Sequence, residues 1–72
     1  MDIEEMKTQF CEKIQHLRVE AKWSVEELSL KSGVPLEMLE QLEQNILPKD
    51  LMLDDTAALA KVFHCEIHEL FR

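Results

Sequence analysis

The chain has one glycine, two prolines and no tyrosine among 72 residues. With many Leu, Glu and Met beside them, so few breakers point to helices. No run alternates apolar and polar residues in the way a strand requires. Basic residues are scarce as well: eight Lys and Arg face fifteen Asp and Glu, for a net charge of −7. Nucleic-acid binders usually carry a basic footprint, because phosphate neutralisation supplies much of their affinity. The acid excess therefore argues against a strong grip on DNA by this domain alone, but it does not bear on the fold. No apolar run has membrane length and no signal-peptide pattern is visible, so a cytoplasmic location without a membrane partner is expected. The two cysteines, Cys11 and Cys65, stand far apart, and reduced core thiols are expected rather than a disulfide. No Gly-rich phosphate cradle and no nucleophile–base pair is written at a suggestive spacing, so no enzyme and no cofactor is expected.

Repeats, low-complexity tracts and linkers are missing too, which leaves residues 1–72 as one small domain. An apolar fraction of 46% is enough for a folded core. A core of this size is marginal, so tight helix packing or oligomerisation should support it.

The stretch from Trp23 to Glu43 organises the rest. Ser24 is an N-cap, and Glu27 three residues on completes a capping box. Val25, Leu28 and Leu30 supply an apolar side to a helix ending near Lys31 or Ser32. Gly33 provides the positive φ of a tight helix exit. Val34 plugs the turn, and Pro35 suits the first turn of a second helix. Leu39 and Leu42, with Met38 or Leu36, face inward from it. Helix, short Gly turn, helix is the pattern of a helix-turn-helix, here spanning about 24–43.

Before it, Ile3, Met6, Phe10, Ile14, Leu17 and Ala21 recur three and four apart. That stripe predicts a long first helix, capped by Asp2 and running to about Lys22. Ile3 and Met6 are expected against the last helix or a second protomer. After it, Asn45 is expected in a left-handed cap. Ile46 and Leu47 read as buried anchors of the loop that holds Pro48 and Lys49. Asp54 or Asp55 should cap a fourth helix, with Leu53 as a staple and Leu59, Val62 and Phe63 inward. A short fifth helix should run over 66–71, its Leu70 and Phe71 either in the core or at a dimer contact. His64, Cys65 and His68 invite a zinc reading, but no compact four-ligand set exists, so no metal is expected.

The set Leu17-Arg18, Trp23-Ser24, Glu27-Leu28, Ser32-Gly33-Val34 and Leu39-Glu40-Gln41-Leu42-Glu43 resembles the phage-repressor type of helix-turn-helix, the Cro/repressor or XRE-like family. Asp54 to Ala60 and the closing Ile67-His68-Glu69-Leu70-Phe71 extend the resemblance, which covers about Ile14 to Phe71. It implies an all-α, compact five-helix, lambda-repressor-like DNA-binding domain with an extended first helix. It also implies a structural ion pair between Arg18 and Glu43. The helix at 35–44 would enter the major groove of double-stranded DNA, with Leu36, Glu37 and Gln41 at base edges. Ser24, the amides of the first turn it caps, Lys22, Lys31 and Lys49 would meet phosphates. A solvated helix face also needs Glu and Gln, so each polar position has an ordinary explanation beside the functional one. The implied function is a sequence-specific transcriptional regulator, a homodimeric repressor. The alternative is an acidic protein-interaction module on the same fold: an anti-repressor, a heterodimer partner or a mimic of DNA.

Overall fold

A computed structural model describes residues 3–71, and every regular element in them is helical. The order is α1 (Ile3–Glu20), α2 (Val25–Ser32), α3 (Leu36–Glu43), α4 (Leu53–Val62) and a closing 3-10 helix, Ile67–Phe71. There are thus four α-helices where five helices were expected. The fifth element has only five residues and adopts the tighter 3-10 form common in short terminal pieces. The expected cap at Asp2 lies outside the described residues, and so does the packing expected of the Ile3 side chain.

Among the described residues four chain reversals rely on left-handed backbone, yet glycine occupies only one of them. Gly33 ends α2 with φ 79°, its N–H bonded to the Ser29 carbonyl at 2.8 Å. Lys22, Asn45 and His64 take φ of 63°, 62° and 56°. Each sits in a Schellman arrangement. At Lys22 the Trp23 N–H reaches the Arg18 carbonyl at 3.2 Å, and the Lys22 N–H reaches that of Val19 at 3.0 Å. The same pair of bonds closes α3 at Asn45 and α4 at His64. Lys22 explains why α1 stops at Glu20, two residues short of the expected end. A Cβ in this backbone region costs about 1–2 kcal/mol. Lys22→Gly is therefore expected to raise unfolding free energy in urea by about 1 kcal/mol, the gain trimmed by the looser unfolded chain.

The turn between α2 and α3 is fixed from both sides. Ser29 Oγ donates to the Val34 carbonyl at 2.7 Å, and Ser32 Oγ accepts from the Val34 N–H at 3.1 Å. Val34 is thereby held in the core. At α4 the expected cap moves back. Met52 occupies the cap position, and Asp55 reaches back to accept from the Met52 N–H at 3.0 Å. Leu53 becomes the first helical residue and is exposed, so it staples nothing.

Phe10, Cys11 and Ile14 of α1, Leu28 of α2, Leu39 and Leu42 of α3, Leu59 and Ala60 of α4, and Leu70 of the 3-10 helix form the core around Val34. α1 packs on α3 and on the 3-10 helix, while α2 packs on α3 and α4. The radius of gyration is 10.9 Å, close to the about 11 Å expected of a packed domain this long. Phe71 stacks on Phe10 with centroids 5.0 Å apart, and Leu70 is fully buried. That pair therefore belongs to the core and not to a dimer contact. Both cysteines are free.

Leu30 departs from the expected pattern. It is 85% exposed, because α2 is only eight residues long and its buried side is spent on Leu28.

Candidate functional site

α3 has two unlike sides. Leu39 and Leu42 are buried, Met38 packs against the core, and Leu36 is half-buried. Glu37, Glu40 and Gln41 face solvent. No side chain caps the N-terminus of α3, where Pro35 holds the cap position with φ −55° and ψ 140°. The N–H groups of Met38 and Leu39 both go to the Pro35 carbonyl. Those of Leu36 and Glu37 have no partner among the described residues, as the first amides of an uncapped helix must.

The C-terminal end of α3 is tied to α1. Arg18 Nη2 donates to Glu43 Oε1 at 2.8 Å, and Nε donates to Oε2 at 3.2 Å. Its Nη1 donates to the Trp23 carbonyl at 2.7 Å. One guanidinium thus joins α1, the α1–α2 turn and α3 through a two-pronged carboxylate bond. Gln15, one turn before Arg18, donates to the Leu42 carbonyl at 2.8 Å and to Asn45 Oδ1 at 2.9 Å. Gln15 was not singled out from the sequence. Its spacing from Arg18 puts both on one face of α1, and that was the available signal.

Beside α3 lies an open groove of about 570 Å³. Glu37 and Gln41 line one wall, and Ile46, Leu47, Lys49 and Asp50 line the other. Two of the three residues expected at base edges therefore share a groove with one of the expected phosphate contacts. The remaining cations lie elsewhere. Lys31 stands over Trp23, its Nζ 5.1 Å from the ring centroid. Lys22 sits in the α1–α2 turn. Ser24 and the α2 terminus are partly spent: Ser24 Oγ accepts from the Glu27 N–H at 3.1 Å, and Glu27 Oε1 accepts from the Ser24 N–H at 3.1 Å. A carboxylate already fills part of the place a phosphate would take.

The loop also reads differently in space. Ile46 and Leu47 are 47% and 39% exposed, and Pro48 is the buried residue of the segment. The left-handed Asn45 turns the chain away from the core directly before them. Their apolar side chains therefore border the groove.

No protein-family model, curated protein or solved structure matches the chain. The site has to be read from its own residues. Its charges are Glu37, Glu40 and Asp50 against Lys49. No helix among the described residues is long and apolar enough to cross a membrane.

His64, Cys65 and His68 do not come together as ligands; among the described residues no group of three His, Cys, Asp or Glu is placed to hold a metal. Burial, with Glu69 adding to it, pushes the Cys65 thiol above its ordinary value. Burial raises the Cys11 thiol too, which suits an inert core residue.

Proposed function

We propose that the chain is a sequence-specific DNA-binding transcriptional regulator of lambda-repressor-like helix-turn-helix architecture. It acts as a homodimeric repressor and inserts α3 into the major groove. The observation that carries this reading is the free polar side of α3, held outward by the Arg18–Glu43 pair. An uncapped N-terminus on the same helix offers two backbone donors to a phosphate or base edge. Gln41 suits the N6 and N7 of adenine, and Glu37 suits the N4 of cytosine. Leu36, half-buried, keeps only an edge for a thymine methyl. Lys49 anchors a phosphate next to these two, while Lys22, Lys31 and Ser24 flank the footprint.

Charge sets the limit. A duplex presents about one negative charge per 1.7 Å of axis. Glu37, Glu40 and Asp50 oppose it, so the pairing of two protomers on a palindrome is what makes the contact count sufficient. The test is fluorescence anisotropy with duplexes that include the DNA flanking the protein's own gene. Binding at low salt and a steep loss with added salt are expected. No duplex bound below about 10 µM in low salt would sink the proposal, since non-specific contact alone reaches that range. Gln41→Ala should relax discrimination at one base pair by about 1–3 kcal/mol, read by comparing single-substituted duplexes.

A second reading has its own observation. Ile46 and Leu47 are exposed beside Glu37 and Asp50, an apolar edge with an acidic border. Such an edge suits a protein partner with an apolar anchor flanked by basic residues. In this reading the domain is an anti-repressor, a heterodimer partner or a DNA mimic. Leu47→Asp separates the two. It should weaken a protein complex at least about tenfold, the effect of burying an unpaired charge at an interface. A variant that loses only DNA affinity, and no protein partner, counts against this second reading.

A further inference from the structure

A concavity lined by two lysines lies where the ends of α2 and α4 meet the α1–α2 turn. Trp23, Lys31, Ser32, Lys61, Val62 and His64 line an open depression of about 700 Å³. The volume is in the range of small-ligand sites. No acidic residue among the described ones lines it. Neither Lys31, Lys61 nor His64 forms an ion pair among the described residues.

A common explanation covers part of this. Lys31 and Lys61 stand in the last turns of their helices, where the dipole favours cations. Each helix end carries only about half a negative charge. Two lysines therefore overcompensate the two helix ends and leave a positive surplus. The dipole also says nothing about the indole. Trp23 stacks on Phe63 with centroids 5.6 Å apart and planes at 23°, which fixes its ring as part of the floor. Lys31 covers that ring as a cation, its Nζ 5.1 Å from the centroid.

A cationic rim over a fixed aromatic floor has two halves, and one ligand chemistry satisfies both. We propose that this depression binds a mononucleotide. On binding, the Lys31 ammonium leaves the indole face it now covers and, with Lys61, holds the phosphate, with His64 at its edge; the planar base takes the vacated face of Trp23 beside the aliphatic side of Val62. A phosphate alone would forgo the stack, and a neutral ring alone would forgo the charges. Base–aromatic stacking and charge-assisted bonds to phosphate are of comparable weight, so losing either half weakens the site measurably. Lys31 is the one residue this site shares with the proposed DNA footprint, and no residue of α3 lines it. The site gives the helical domain a place to receive a chemical signal.

Trp23 is the sole tryptophan and sits in the depression, so its emission reports occupancy. Adenosine monophosphate, adenosine and inorganic phosphate are titrated into the intact chain. The first should change the emission saturably, and each of the other two should bind at least about tenfold more weakly. Lys61→Glu should weaken the nucleotide at least about tenfold, a charge reversal on an exposed side chain that leaves the core untouched. His64→Gly keeps the left-handed cap and removes the imidazole, and it should weaken binding to a lesser degree. Amide shifts in NMR should centre on residues 58–64 and leave α3 unmoved. The proposal is overturned by no saturable change up to about 10 mM. It is equally overturned by an unaltered affinity in Lys61→Glu, by adenosine or phosphate matching the nucleotide, or by shifts centred on α3.

Discussion

Phe10→Ala is expected to remove about 3–5 kcal/mol of stability and leave much of the protein unfolded at ordinary temperatures. A domain of 72 residues has a total of only about 4–11 kcal/mol at the usual stability per residue. Phe10 has no solvent exposure and stacks on Phe71 at 5.0 Å with planes at 18°. It sits where α1 meets the 3-10 helix, and five residues of 3-10 helix have no stability of their own. The aromatic pair thus pins the C-terminal segment, and the cavity left by Ala cannot refill without moving α1. Urea unfolding followed by circular dichroism reads the loss. Amide exchange adds a sharper check, because residues 67–71 should lose protection before α2 and α3 do. If Phe10→Ala cost under about 1 kcal/mol with the C-terminal amides still protected, the packing described for this end would be wrong.

Much of the fold was legible because local signals agreed with one another. The Ser24–Glu27 box, Gly33 and the inward pair Leu39 and Leu42 sit at spacings that only two short helices satisfy, and they appear in that form. The early end of α1 has a local cause. Left-handed Lys22 ended α1 early, and lysine carries no sequence signature for that conformation as glycine does. His64 and Asn45 hold the same conformation; asparagine is a recognised choice and histidine a tolerable one. The groove was less legible. Ile46 and Leu47 are apolar, and apolar residues in a short loop read naturally as buried. Which of three neighbours enters the core depends on the direction in which Asn45 sends the chain, and Pro48 took the place. Likewise the cluster of Lys31, Lys61 and His64 joins residues thirty apart, brought together by packing of α2 on α4. Nothing in their local sequence marks it.

Arg18→Ala and Glu43→Ala should each destabilise the domain by about 3 kcal/mol, the lower end for breaking a buried pair. The discount reflects residual solvent: the two side chains keep 18% and 24% of their exposure. The two variants should not be equal. Arg18→Ala also frees the Trp23 carbonyl from its 2.7 Å donor, so it loses the α1–α2 turn as well as α3. Glu43→Ala leaves the guanidinium with that one partner and is the milder change. A double-mutant cycle isolates the pair, and Arg18→Met with Glu43→Leu should cost less than either alanine change because no charge is left stranded. The pair also aims α3. Glu43 closes the helix whose outward side carries Glu37 and Gln41, and Gln15 braces the next turn at Leu42 and Asn45. The apolar double variant should therefore fold yet engage its partner less well, because Met and Leu do not reproduce the directional two-pronged bond. Equal affinity in a folded Arg18→Met/Glu43→Leu protein would mean that the buried Leu39 and Leu42 alone orient α3.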